Sequence, residues 1–239
     1  MVDNILSGMS VRTFSPRAVT LEAEPKPLEI ELQRTVIMVI DMQNVFVAKG
    51  GLFDVHGMDI SSCRKTIATI KKITNIARAK GVMVIYTVHA YSADMYDTGG
   101  PNSPNWWKEP TLVMCRKCPE HADKGCFRNT WGCEIIDELK PRKGDVVIEK
   151  NKYSGFAGTN LDTILKAHNA KYLIFTGVTT NVCVESTLRD AFFLEYWPII
   201  VSDACALIGP PSVHEVTLST IRIAFGWVTS SESLLKVLR

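Results

Sequence analysis

No apolar run in this 239-residue sequence is long enough to cross a bilayer. There is no block of Lys and Arg either. The formal net charge is +2 and the basic residues are scattered, so neither nucleic acid nor a membrane surface is expected as a partner. The first residues, MVDNILSGMSVRTFSP, lack a charged segment followed by an apolar one, which argues against a secretory signal. Arg12 and Arg17 among several Ser and Thr lend some transit-peptide character. Asp3, Glu22 and Glu24 oppose it, because such peptides are poor in acids. Seven cysteines, an odd number, point to free thiols in a reducing compartment and hence to a cytoplasmic location. No internal repeat and no second domain is visible, and the length suits one α/β domain with a full core.

What is present is an alternation of apolar strands and amphipathic helices. Residues 1–34 are polar, proline-dotted and aperiodic, and are read as an N-terminal arm before a single domain over 35–239. TVIMVIDM (35–42) and VMVIYTVH (82–89) are continuous apolar runs of strand length, the mark of buried parallel strands. Between them Ile67, Ile70, Ile73 and Ile76 share one helical face, with Gly81 as the stop. DVVIEK (145–150), YLIFTGV (172–178), WPIIVSDA (197–204) and the short GWVTSS are further strands. Helices are expected over 131–139, 160–169, 182–195, from about Ser212, and at ESLLKVL. The pattern predicts a three-layer, doubly wound, mostly parallel six-stranded sheet with helices on both faces. Ala90–Asn129 shows no period, and long irregular segments in compact domains are usually functional.

That segment and its border hold Cys115, Cys118, Cys126 and Cys133, with His121 among them. A zinc site is the sharp reading, since CxxC can form one edge of a tetrahedron. Reduced thiols are the plainer and favoured one, because the second pair lacks ligand spacing.

Three reactive residues fall where parallel strands end, the edge at which such sheets bind ligands. Asp41 closes the first strand, Lys150 the third, and Cys183 opens the helix after the fourth. A thiol at a helix start feels the positive end of the dipole and a nearby ammonium would add to that, so Cys183 is expected to be the most reactive of the seven thiols. A carboxylate can hold the lysine and take the thiol proton. Backbone N–H groups of Thr179 and Cys183 could form an oxyanion hole. Lys152 lies two residues beyond Lys150 and alternation lets both face the same side, so spacing alone leaves the lysine open.

The motifs DMQN (41–44), KxxYSGFxxTxLD (150–162) and GVTTNVCVESTLRDAFFLEY (177–196) appear in that order. With GGPNSPN (99–105) and FGWV (225–228), they make the chain from about residue 33 resemble the isochorismatase-like cysteine hydrolases. The resemblance implies an Asp41–Lys150–Cys183 triad, with the motif register selecting Lys150, and a cis peptide between Val178 and Thr179. It implies a cysteine-dependent amidohydrolase that cleaves the ureido or carbamoyl C–N bond of a small ureide through a thioester-like intermediate. A ureidoacrylate-type substrate comes first; biuret, guanylurea and N-carbamoyl amino acids are alternatives. A non-enzymatic binding relative is the second reading, and the intact triad argues against it. Isochorismatases proper can lack the cysteine and cleave a vinyl ether, so Cys183 favours amide chemistry. Nicotinamidases of the superfamily carry a metal-binding DxH element. HAYSADMYD here has no such spacing, so no catalytic metal and no cofactor are expected. In the ureide-cleaving members an amide residue, a tryptophan and a glutamate follow the second strand. Those places hold His89, Tyr91 and Asp97 here, which with Asn105 and Tyr153 are the expected substrate-binding residues. Trp106 and Trp107 would cap the site or bury against a neighbouring subunit, and a homo-oligomer is expected.

Overall fold

The computed structural model describes residues 18–239. The arm expected over 1–34 therefore lies partly outside the described residues, as does the question of a leader in 1–17. From residue 18 the chain is regular. β1 (Ala18–Leu21) and β2 (Leu28–Glu31) form a two-stranded antiparallel sheet. Their polar residues alternate with Leu21, Leu28 and Ile30, which are buried. This short alternation between prolines is what an aperiodic reading misses.

The main sheet comprises β3 (Thr35–Ile40), β4 (Met83–His89), β5 (Val146–Lys150), β6 (Tyr172–Val178), β7 (Trp197–Ala206) and β8 (Trp227–Thr229). The spatial order is β5-β4-β3-β6-β7-β8, and every neighbouring pair is parallel. β3 is buried on both faces, so its apolar run is continuous, yet the alternation still sorts its side chains. Ile37 and Val39 pack on one side with α1 (Ser61–Ala79) and α6 (Ser231–Leu238). Val36, Met38 and Ile40 pack on the other, with α3 (Leu161–Ala167), α4 (Glu185–Phe193) and α5 (Pro211–Thr220). The β1–β2 pair contributes Leu21, Leu28 and Ile30 to the first of these cores. It is tied to the sheet edge by Thr229, whose hydroxyl donates to the Glu22 carbonyl, and by an Arg222–Glu24 ion pair.

The crossover from β4 to β5 departs from the sequence expectation. It contains a helical turn at Pro104–Lys108 and α2 (Pro110–Lys117). The helix expected over 131–139 is instead two 3-10 turns, Trp131–Cys133 and Asp137–Leu139. Gly132 lies where a Cβ would sit 2.2 Å from the Lys124 carbonyl, so that segment is pressed against its neighbour rather than coiled on itself. Gly177 is similarly constrained at the end of β6: its φ is +109° and a Cβ would meet the Ile40 carbonyl oxygen at 2.1 Å.

The sheet's direction of growth reverses between β3 and β6, which opens a crevice at their C-terminal ends. Asp41 and Thr179 follow those two strands directly.

Candidate active site

Asp41 leaves β3 in the left-handed region, with φ 49°, a conformation that Asp tolerates better than most residues. Its backbone N–H donates to the Thr87 carbonyl at 3.2 Å, and the Thr87 hydroxyl donates to its carboxylate at 2.7 Å. The other carboxylate oxygen lies 2.6 Å from the Lys150 ammonium. Both side chains are almost wholly buried. Burial works to strip Lys150 of its proton, but the Asp41 carboxylate and the Cys183 sulfur outweigh it, and the net direction is upward. The lysine at Asp41 is thus Lys150. β5 ends there, so the strand alternation that would have turned Lys152 the same way is lost, and the Lys152 ammonium meets the Asn151 carbonyl at 3.2 Å.

Cys183 sits on a π-helical turn, Thr180–Val184, that leads into α4. Such wide turns recur at functional sites. Thr187, one turn on, donates its hydroxyl to the Cys183 carbonyl at 2.7 Å and accepts the Gly155 N–H at 3.0 Å. The YSGF segment is thereby pinned to the helix that carries the thiol. The sequence-based expectation of a thiolate does not match the electrostatics. Burial pushes the Cys183 thiol well up, Lys150 opposes this, and Asp41, which shares a hydrogen bond with the sulfur, adds to the rise. The Cys183 thiol is thus harder to ionise in the fold than a helix start and a nearby lysine alone would imply. The Val178–Thr179 peptide just before it is cis.

Cys183 opens into a cavity of about 180 Å³. Its polar lining comes from His89, Glu109, Tyr153, Thr179, Asn181 and Cys183, and its apolar lining from Phe46, Phe53, Met58, Pro110, Val178, Val182 and Ile208. Larger hollows lie elsewhere, as at Ser202–His214–Arg222, but they are more open and do not include Cys183.

The expected substrate-binding residues divide. His89 and Tyr153 line the cavity, their rings stacked with centroids 6.4 Å apart. His89 is held neutral, its pKa lowered to about 3 by burial and then by the Lys150 charge. Burial pushes the Tyr153 hydroxyl up to about 12. Tyr91, Asn105 and Asp97 are not on the cavity wall. Tyr91 stands behind His89, its hydroxyl 3.0 Å from Nε2, and Asn105 donates to that same hydroxyl at 3.0 Å. Asp97 is drawn away by Arg128, 2.7 Å distant, and accepts the Ser92 N–H. The acid that does reach the cavity is Glu109, 3.9 Å from His89 Nε2 and 2 % exposed. It caps α2, accepting the N–H groups of Thr111 and Leu112 and the Thr111 hydroxyl. Burial pushes its carboxyl up, against these donors and Lys150. Trp106 and Trp107 flank the Arg116 guanidinium, at 4.2 and 5.9 Å, and do not line the cavity.

Glu109 was findable. An acid followed by Pro is the signature of a helix start, with the cap side chain turned back on the first N–H groups. Phe46, Phe53 and Met58 carried no such signal, because they lie on and beside four-residue helical turns after DMQN.

The four clustered cysteines do not converge. Cys115, Cys126 and Cys133 are separately buried, and burial raises all three thiols, to about 11 for Cys115 and about 12 for Cys133.

Sheet, crevice and cavity together define the class, a three-layer α/β fold with its site at the C-terminal edge of a parallel sheet. The sequence model described as the Isochorismatase domain matches residues 35–233, and the chain belongs to the isochorismatase family. A ureidoacrylate amidohydrolase of Caulobacter segnis is 42% identical over 221 residues, covering 92% of each chain. One from Agrobacterium fabrum is 43% identical over 212 residues, covering 89% of this chain and 93% of its own. Among solved structures, a cysteine hydrolase from Pseudomonas syringae pv. phaseolicola superposes with a TM-score of 0.73 at 32% identity, covering 87% of this chain and 94% of its own.

Proposed function

We propose that the chain is a cysteine amidohydrolase that cleaves a C–N bond of a small ureide, with Cys183 as nucleophile, Asp41 as base and Lys150 as the fixed positive charge. The observation that carries this reading is the shared burial of Asp41 and Lys150 at 2.6 Å, with Cys183 on the wall of a cavity beside them. A thiol that is hard to ionise requires a base beside it, and Asp41 is that base. It takes the Cys183 proton as sulfur bonds to the ureido carbonyl carbon. The oxyanion is received by the N–H groups of Thr179 and Cys183, whose residues line the cavity. Collapse breaks the C–N bond, and the proton held by Asp41 goes to the departing nitrogen. Water, losing a proton to Asp41, then attacks the thioester-like carbonyl; the C–S bond breaks and Cys183 regains its proton. Lys150 keeps its charge throughout. None of these steps calls on a cofactor.

The relatives' names favour a ureidoacrylate-type substrate. The size of the cavity, about 180 Å³, suits a small planar molecule lying against Tyr153 and His89. The proposed setting is cytoplasmic and homo-oligomeric; no helix among the described residues is long and apolar enough to cross a membrane.

The test is ammonia release from a panel of ureidoacrylate, biuret, guanylurea and N-carbamoyl amino acids, with Cys183→Ala as control. Turnover of at least one ureide, lost in the variant, is expected. Turnover that survives Cys183→Ala removes the proposed mechanism.

A further inference from the structure

Away from the catalytic cavity, three metal-ligating side chains meet from segments far apart in sequence. Among the described residues, His56, Cys118 and His121 are the only cluster of three or more His, Cys, Asp or Glu whose ligand atoms all lie within 4.8 Å of one another. We propose that they form a binding site for a divalent transition metal of borderline softness, such as zinc, that fastens two walls of the cavity together.

The geometry is already close to that of a ligand set. His56 Nε2 and His121 Nδ1 are 3.3 Å apart, with their rings nearly perpendicular at 87°. In a tetrahedral site with Zn–N bonds of 2.0–2.1 Å, two nitrogens stand about 3.4 Å apart. A hydrogen bond between the imidazoles would also account for that one distance. It does not account for a thiol at the same point. Two imidazoles and a thiolate are a donor set that zinc and cobalt take readily, with water completing the four positions. Cys118 and His121 are presented by one turn, in which the His121 N–H donates to the Cys118 carbonyl at 3.0 Å. His56 caps the helical turn Leu52–Val55. All three residues are part-exposed, so an ion has access from solvent.

The position gives the site a structural consequence. His56 lies between Phe53 and Met58, and Cys118 directly follows α2, which begins at Pro110; all three flanking residues line the cavity. A bound ion would close a loop between those walls without touching the reacting atoms. Binding displaces the Cys118 proton to solvent while the imidazoles bind neutral, so affinity rises with pH.

The test uses the full chain, stripped with a chelator and titrated with Zn²⁺ and with Co²⁺. One equivalent per chain is expected. The Co²⁺ form should show the visible bands of a tetrahedral ion and a thiolate charge-transfer band that Cys118→Ser abolishes. His56→Ala should weaken Zn²⁺ binding by ~100-fold or more, beyond the ~10–100-fold carried by outer hydrogen-bond partners of metal sites. Circular dichroism checks that both variants fold, and Zn²⁺ should raise the melting temperature of the unaltered chain only. No stoichiometric binding, or binding unchanged in both variants, overturns the proposal.

Discussion

The Lys150 ammonium stands 3.4 Å from His89 Nδ1, and this contact bears on where the histidine keeps its proton. An ammonium only donates, which favours Nδ1 as the acceptor and the proton on Nε2. The surroundings agree. The Tyr91 hydroxyl, 3.0 Å from Nε2, donates to the Asn151 carbonyl at 3.3 Å and so accepts from His89 and from Asn105. The Glu109 carboxylate, 3.9 Å from Nε2, also favours a proton on that nitrogen. His89 thus presents a fixed N–H to the region between Tyr91 and Glu109. Tyr91 and Asn105 act on the site by holding that ring.

This neutral histidine should make the fold acid-sensitive. Unfolded, His89 takes up a proton near pH 6.5; folded, it does so only near pH 3. Between those values the unfolded chain binds more protons, so the contribution is fully present above 6.5 and is lost as pH falls towards 3. The slope from this one group is up to about 1.4 kcal/mol per pH unit. Urea denaturation between pH 7 and 4, compared with His89→Asn, measures it. Parallel pH dependences for the two proteins would show that His89 is not the group responsible.

Asp41→Asn should keep a partner for Lys150 while removing the base. We expect kcat to fall by ~10²–10⁴, the usual range for general-base catalysis. Alkylation of Cys183 by iodoacetamide should quicken in the same variant, because Asp41 raises the thiol's pKa while Lys150, which remains, lowers it. Peptide mapping reads this at Cys183 directly. Lys150→Met is different in kind: it leaves Asp41 buried without its cation, and should cost about 3–5 kcal/mol of stability.

The positions of Asp41, Lys150 and Cys183 were legible because parallel strands are continuous apolar runs, and residues at their ends share one edge by topology alone. The cavity walls were not legible for the same reason in reverse. Phe46, Phe53, Glu109 and Pro110 reach the site from helical turns and crossover segments, where no period indicates direction. Asp97 shows the hazard of reading such segments by position: its carboxylate was claimed by Arg128, 31 residues away. The upward pull on the Cys183 thiol also escaped the sequence. A helix start and a lysine both argue for thiolate, while the burial that outweighs them exists only in the fold.

Thr187 should matter for rate more than for binding. Its hydroxyl joins the Cys183 carbonyl to the Gly155 N–H, so Thr187→Val leaves a buried N–H unsatisfied and frees the nucleophile's turn. The stability cost should be about 1–3 kcal/mol. KM should hold while kcat drops, since the group touches the thiol's backbone and lies outside the cavity lining. A rise in KM with kcat intact would mean that Thr187 shapes the pocket instead.

Glu109 should decide which ureide the cavity accepts. Among the described residues the lining contains this one carboxylate and no Lys or Arg. Three donors on Glu109, two of them N–H groups at the start of α2, favour its ionised form even though burial raises its pKa. A substrate carboxylate facing it would be repelled, whereas an amide or guanidinium N–H would be bound. Ureidoacrylate can then be accommodated only with its carboxylate turned away from Glu109 and His89, towards the Asn181 side of the cavity. Glu109→Gln removes the charge at nearly constant shape. It should raise kcat/KM for ureidoacrylate relative to biuret and guanylurea. A lost hydrogen bond to a buried polar group can shift such a ratio by up to ~10⁴. Asp97→Ala, at a residue off the cavity wall and paired with Arg128, should leave the ratio unchanged. Measuring kcat/KM for the three compounds in both variants separates these outcomes. If Asp97→Ala moves the ratio and Glu109→Gln does not, the specificity lies in the crossover segment beyond the cavity, and Glu109 serves only to cap its helix.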